Sequence, residues 1–316
     1  MIVAITGGSG FIGRKLVMSH LEQGDEVRVL SRRPPEKSEL PDSVKWYSGD
    51  LSNAGDLLSF VDKADVLYHC AGEIKDATKM KALHVDGTAR LINMATGRIG
   101  RWVQLSSTGA YGQHREGIVT EETSLNPKGE YEETKVQADN LVIHAAHQGA
   151  FNYVILRPSI VYGETMSNRS LFGLIALIQK GWFFFIGQPS ASANYIHVDN
   201  VVKALLLCGS AKHLKGQVYN LSDYRSLEDF VKIITNALGC KIPHLRIPEL
   251  PVRLLIKLLG WIPGMPLTDS RINALTNYTI YQNTKIEQEL GYNHLISMED
   301  GLANLVNYWQ SNLKKS

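Results

Sequence analysis

Tyr131 and Lys135 stand four residues apart in the run Tyr131-Glu132-Glu133-Thr134-Lys135, which puts both side chains on one face of a helix. A phenol with an ordinary pKa of about 10 exchanges protons poorly near neutrality. An ammonium group one turn away favours the phenolate and draws that pKa toward the working range. Such a pair alone is common on protein surfaces. It gains meaning from the hydroxyl-rich run Leu105-Ser106-Ser107-Thr108-Gly109-Ala110-Tyr111-Gly112, at the end of an apolar strand-like segment, where a hydroxyl can meet a carbonyl or alkoxide.

A second constellation opens the chain: Thr6-Gly7-Gly8-Ser9-Gly10-Phe11-Ile12-Gly13. Gly7 permits a sharp turn, Gly10 lets backbone approach a pyrophosphate, and Gly13 lets the following helix pack closely on the sheet. Phe11 and Ile12 open that helix, whose N-terminus faces the phosphate charge. A glycine pattern by itself is equally a tight turn; this one follows a strand and precedes an amphipathic helix, the context that dinucleotide binding requires. The second strand ends Val29-Leu30-Ser31-Arg32-Arg33-Pro34, with no carboxylate to grip ribose hydroxyls. Ser31, Arg32 and Arg33 suit a ribose phosphate, since guanidinium offers bidentate donors to phosphate oxygens. The cofactor expected is NADP, with NAD as the alternative.

The elements that must carry these residues alternate. Strands are expected at Ile2–Thr6, Glu26–Ser31, Val44–Ser48, Val66–Cys70, Trp102–Ser106 and Tyr153–Pro158, with helices at Phe11–Gln23, Thr78–Thr96 and Glu130–His147 between them. That rhythm predicts an α/β fold built on a parallel sheet covered by helices on both faces. Beyond Gly163 the rhythm weakens, and a smaller unit is expected: residues 1–162 with 194–222 as the dinucleotide-binding domain, 163–193 with 223–316 as a substrate-binding domain. Asp199 is read as the N-cap of a helix.

The chain's 316 residues carry 33 Lys plus Arg against 31 Asp plus Glu, a formal charge of +2, so nothing electrostatic points to nucleic acid. Cys70, Cys208 and Cys240 have no metal-ligand spacing, no metal site is expected, and a sparse odd set reads as reduced thiols in the cytoplasm. Cys70 reads as a small buried hydrophobe. No basic leader precedes Ile2 and no apolar run approaches the length of a membrane span.

The sequence resembles the extended short-chain dehydrogenases/reductases, in their NAD-dependent epimerase/dehydratase branch, over essentially the whole chain. The matching pieces are Gly7–Gly13, Gly49-Asp50-Leu51, His69-Cys70-Ala71-Gly72, Val85-Asp86-Gly87-Thr88, the Ser-Ser-Thr strand end, Tyr131–Lys135, Leu156-Arg157-Pro158 with Val161-Tyr162-Gly163, and Tyr195-Ile196-His197-Val198-Asp199. The resemblance implies a Rossmann-type doubly wound sheet. It also implies that Asp50 and Leu51 line an adenine pocket, that Ala71 and Gly72 pass beside the cofactor, and that Pro158 packs near the nicotinamide. Ser107, four residues before Tyr111, takes the catalytic Ser/Thr position; Tyr131 is the acid/base and Lys135 also holds the nicotinamide ribose.

Three departures refine the reading. His84 stands where relatives often carry Asn, and a hydrogen-bonded histidine is the reading preferred to a direct catalytic one. Thr108-Gly109 replaces the Asp-Glu pair of sugar-nucleotide dehydratases, which disfavours dehydration. Asn194 stands where many relatives have a diphosphate-binding Arg. The reaction expected is reduction of a keto group on a nucleotide sugar, or oxidation of the matching alcohol, by hydride transfer. A nucleotide-sugar epimerase is the alternative, and a catalytically silent cofactor sensor a lesser one. Other branches act on steroids or flavonoid ketones, for which the apolar segment 250–265 could line a pocket; that segment reads equally as a subunit contact, a membrane-surface helix or buried packing. Family habit implies a homodimer through a four-helix contact that includes the Tyr131 helix.

Overall fold

The computed structural model describes residues 1–51, 57–211, 213–259 and 268–313. Seven short apolar runs, β1 (Ile2–Thr6), β2 (Glu26–Ser31), β3 (Lys45–Ser48), β4 (Val66–His69), β5 (Arg101–Leu105), β6 (Asn152–Pro158) and β7 (Gly216–Leu221), pair as one parallel sheet. Their order is β7-β6-β5-β4-β1-β2-β3. The chain builds outward from β1 to β3, then returns to lay β4 on the other side of β1. Loops leaving β1 and β4 therefore diverge and open a crevice at their carboxyl ends.

Alternate residues of each strand feed two cores. Val3, Ile5, Val29 and Val103 face one, packed by Leu16 and Val17 of α1 (Phe11–Glu22). Ala4, Leu67, Trp102 and Ile155 face the other, against Phe60 of α2 (Leu57–Val61). Burial on both faces explains why these strands read as nearly continuous apolar runs.

The single helix expected over Thr78–Thr96 is divided into α3 (Ala77–Lys81), a π turn (Ala82–Asp86) and α4 (Gly87–Ala95). Thr88 Oγ1 donates to the His84 carbonyl at 2.5 Å, occupying an acceptor the helix ladder would otherwise use. Gly87 lets the chain press against Leu51, since a Cβ there would lie 2.8 Å from the Leu51 Cβ. Helix α5 (Glu130–His147) then crosses the second core through Val142 and Ala145.

The second half is more regular than its sequence promised. A third core gathers α6 (Ser170–Gln179), α8 (Leu227–Leu238) and α12 (Met298–Leu313) around Ile175, Phe230 and Leu302, while α7 (Val198–Ser210) returns to the first core. α9 (Glu249–Leu259), α10 (Asp269–Leu275) and α11 (Thr284–Leu290) complete the described helices. Short pairings cross between distant segments: Glu116–Val119 lies parallel to Tyr278–Tyr281, and Phe185–Ile186 to Arg246–Ile247. Asp199 is not the N-cap of α7. His197 is, its Nδ1 accepting the Asp199 N–H at 3.3 Å; Asp199 lies in the first turn, paired with Lys15 at 2.7 Å, where its charge suits the helix dipole. Of the apolar segment 250–265, residues 250–259 form α9 and 260–265 lie outside the described residues. No described helix is long and apolar enough to cross a membrane.

Candidate active site

The glycine turn is built by close contact. Gly7 has φ +69°, and a Cβ on it would lie 2.7 Å from the Ala71 nitrogen. A Cβ on Gly13 would lie 2.2 Å from the Gly7 carbonyl oxygen, so α1 rests directly on the turn. The Gly10 N–H closes the turn on the Gly7 carbonyl at 2.9 Å. Gly10 is also the N-cap, with no side chain capping the helix and no acidic residue in its first turn. The first N–H groups of α1, at Phe11 and Ile12, therefore aim outward at the crevice without a side-chain acceptor. That arrangement fits a pyrophosphate.

The other cofactor candidates leave the same sheet edge. The Ala71 N–H donates to Thr6 Oγ1 at 3.3 Å, which ties the loop carrying Ala71 and Gly72 to the end of β1. Ser31 is buried at the end of β2 and its Oγ accepts the Arg33 N–H at 3.1 Å, so this hydroxyl shapes the turn. Arg32 and Arg33 are exposed on it. The Ser31 carbonyl accepts the Gly49 N–H at 3.1 Å, which brings Asp50 and Leu51 alongside. Leu51 is buried, and its carbonyl accepts Arg90 Nη1 at 3.1 Å.

Ser107 follows β5, and Pro158 ends the neighbouring β6 in register, since Leu105 pairs with Leu156. The Ser107 hydroxyl caps a short turn, accepting the Gly109 N–H at 3.1 Å, and lies near enough to the Tyr131 hydroxyl to act on its pKa. Lys135, one turn deeper on α5, is buried and donates from Nζ to the Leu105 carbonyl at 2.6 Å. Ser107, Tyr131 and Lys135 thus meet at the carboxyl end of β5, two strands from the glycine turn. The charge logic differs from the expectation in one respect. Burial raises the Tyr131 pKa above its ordinary value, and the neighbouring Ser107 hydroxyl is what opposes the rise. Burial lowers the Lys135 pKa, with Asp139 opposing; its ammonium is engaged by the Leu105 carbonyl.

Behind the triad lie residues that sequence reasoning missed. Asp139 is fully buried; its Oδ2 accepts Ser106 Oγ at 2.7 Å and Arg157 Nη2 at 3.2 Å. Arg157 continues to the Tyr111 hydroxyl at 3.2 Å, which donates to Asn220 at 2.8 Å. The signal was available, because 131, 135 and 139 repeat every four residues on one helix face. Tyr281, which lies near enough to Thr108 for that side chain to act on its pKa, had no such signal, since a strand end from far along the chain delivers it.

His84 is hydrogen-bonded, as expected. Its Nε2 accepts the Glu73 N–H at 2.9 Å, so the proton sits on Nδ1, which donates to Thr134 Oγ1 at 2.8 Å. Burial pushes its pKa down to about 4. A second histidine, unremarked in the sequence, continues the chain: Thr6 Oγ1 donates to His69 Nδ1 at 2.6 Å, and His69 Nε2 donates to Thr88 Oγ1 at 2.9 Å. Burial pushes His69 down to about 3. Two neutral histidines thereby join the glycine turn, the π turn and the Tyr131 helix. Cys70 is half-buried, with its thiol pushed up to about 12 by burial, so it is no nucleophile at neutral pH. Asn194 donates from Nδ2 to the Thr279 carbonyl at 2.7 Å, which commits its amide to joining two segments.

Known proteins share this fold over nearly the whole chain. Residues 3–222 match the model of the NAD dependent epimerase/dehydratase family. A 3-beta-hydroxysteroid dehydrogenase of Mycolicibacterium neoaurum is 28% identical over 97% of this chain and 91% of its own. Human short-chain dehydrogenase/reductase family 42E member 1 is 27% identical over 92% of this chain and 83% of its own. Among solved structures, the UDP-glucuronic acid 4-epimerase of Bacillus cereus in complex with NAD superposes with a TM-score of 0.76 at 19% identity, covering 99% of both chains. The UDP-glucose 4-epimerase of Thermotoga maritima with UDP-glucose gives 0.76 at 19% identity, over 99% of this chain and 100% of the other. The family model spans more than half of the sequence, including the glycine turn, Ser107, Tyr131 and Lys135: the chain belongs to the NAD dependent epimerase/dehydratase family, within the short-chain dehydrogenases/reductases.

Proposed function

We propose that this chain interconverts a ketone and a secondary alcohol with NADP as cofactor, with Tyr131 as the acid/base. The observation that carries the reading is the approach of the Ser107 and Tyr131 hydroxyls at the end of β5, with Lys135 buried one turn below. Ser107 orients the substrate oxygen, and Tyr131 gives that oxygen a proton in reduction or takes it in oxidation. Lys135 supplies positive charge beneath the phenol and holds a ribose hydroxyl. When bound, the cofactor supplies or accepts the hydride. Gly7, Gly10, Phe11, Ile12 and Gly13 hold its pyrophosphate, Asp50 and Leu51 its adenine, Ala71 and Gly72 flank its ribose, and Pro158 flanks its nicotinamide.

NADP is preferred because β2 ends without a carboxylate and presents Arg32 and Arg33 to solvent. Arg32 also lies close enough to Lys79 for their charges to interact, adding a further cation on that side. Residues 1–162 with 194–222 carry the cofactor; 163–193 with 223–316 carry the substrate. A nucleotide sugar is the first substrate class, supported by the UDP-sugar epimerases that share the fold. An apolar alcohol or ketone is the second. It is favoured by Asn194, which stands without a cation and with its amide committed to Thr279, and by the steroid dehydrogenase relative.

Calorimetric titration of the purified protein with NADP and with NAD tests the cofactor. The reading requires NADP to bind the tighter, by about tenfold or more from charge-assisted bonds, with the preference lost in Arg32→Ala/Arg33→Ala. Equal binding that ignores those arginines would move NAD, and with it epimerisation, to first place.

A further inference from the structure

Helix α9 is apolar on two opposite faces. Val252 and Ile256 point inward to Ile186 and Ile272. Leu250, Leu254 and Leu255 point the other way and are 75%, 60% and 49% exposed. A soluble helix of this kind presents polar residues on its outer face; here the polar residues form one side stripe, Glu249, Arg253 and Lys257. The exposed ridge continues beyond the helix. Phe185–Ile186 pairs in parallel with Arg246–Ile247, and the Phe185 N–H donates to the Leu245 carbonyl. Glu249, at the start of α9, lies beside Gly187, and the inward contacts to Ile186 and Phe184 run the helix back along this ribbon. Trp182 and Leu245, 69% and 62% exposed, precede the two paired segments and so stand at the end of the ribbon toward which α9 runs.

Basic residues outnumber acidic ones along this ridge, and its carboxylates are paired: Asp269 lies 3.5 Å from Arg253. Between residues 240 and 259 the only acidic residue is Glu249, paired with Arg253 at 2.6 Å, while Arg246 pairs with Glu228. Lys180, Lys241 and Lys257 are exposed; Lys257 lies on α9 itself, and Lys180 lies 5.4 Å from the centroid of the Trp182 ring. A second copy docking face to face would set lysines against lysines. An anionic surface with an apolar interior complements both features: leucines enter it, tryptophan sits at its boundary, and lysines meet its headgroups.

We propose that the α9 face, with Trp182 and Leu245, docks on the surface of an anionic lipid bilayer without spanning it. This assignment is independent of the redox reading. The test is co-sedimentation of the full-length protein with vesicles of phosphatidylcholine alone and of phosphatidylcholine mixed equally with phosphatidylglycerol, beside analytical ultracentrifugation. Binding to the mixed vesicles is expected, falling at least about tenfold in Leu250→Glu/Leu254→Glu and about fivefold per lysine in Lys241→Glu/Lys257→Glu. All four positions are exposed, so the melting temperature should hold in both variants. Absence of vesicle binding would overturn the proposal, as would binding indifferent to both variants. So would a dimer that Leu250→Glu/Leu254→Glu dissociates, which would assign the face to a second copy.

Discussion

The side chains proposed to do the chemistry sit above a buried charge cluster, and the two layers answer differently to substitution. Tyr131→Phe removes one oxygen atom from a residue on the wall of the crevice, so stability should barely change while turnover falls about 10²–10⁴-fold, as for loss of a positioned acid/base; steady-state kinetics beside thermal melting checks this. Asp139→Ala removes the carboxylate between Lys135 and Arg157 and leaves buried cations uncompensated. It should cost about 3–5 kcal/mol of stability, read by chemical denaturation. Asp139→Asn keeps the shape and should lower the Lys135 pKa, because the opposing negative charge is gone. The spacing that sets Tyr131 and Lys135 on one helix face was legible in the sequence. Asp139 shares that spacing, but its partners Arg157 and Tyr111 were not legible as such, since a buried ion network is defined by which strands become neighbours.

At the scale of elements, the strands were legible wherever both faces are buried, because apolar β-branched runs leave little choice. The π turn was not. It depends on Thr88 reaching back to the His84 carbonyl and on Gly87 admitting Leu51, and neither changes the helical pattern of the run. The strands Glu116–Val119 and Tyr278–Tyr281 stayed hidden for a similar reason, each being a short run that is a strand only because the other lies beside it. The His84–His69 chain makes the π turn sensitive to acid. Each histidine is held neutral in the folded chain, to about 4 and about 3, whereas an unfolded histidine takes up a proton near 6.5. The stabilisation is full above pH 6.5 and is lost as the pH falls toward 4, because the unfolded state then binds protons that the folded state refuses. Denaturation midpoints across that window should decline, and His84→Gln should flatten the decline. The glycine turn gives a steric counterpart: Gly13→Ala sets a methyl against the Gly7 carbonyl, and about 1–3 kcal/mol of stability should go with it.

The whole molecule joins two faces of one sheet to a third core, and the crevice lies where they meet. Tyr281 and Asn194 make that junction, one reaching Thr108 beside Ser107 and the other donating to the Thr279 carbonyl. A ligand bound to the folded chain at this junction raises its apparent stability by mass action. NADP at one hundred times its dissociation constant should therefore contribute about 2.7 kcal/mol, and a shift of the melting temperature that follows NADP concentration checks it. Family membership was legible from the motifs, because glycine turns and strand ends are local. Substrate class was not, because the second half presents surfaces assembled from segments far apart in the chain.

The central claim is that Tyr131 moves the proton in an NADP-linked ketone–alcohol interconversion. NADPH consumption, followed spectrophotometrically over a panel of keto-sugar nucleotides and apolar ketones, tests it most directly when Tyr131→Phe is run beside the unaltered chain. The account predicts turnover of at least one class by the unaltered protein, and loss of about 10² or more in Tyr131→Phe with calorimetric NADP binding unchanged. Equal turnover by both proteins would contradict it.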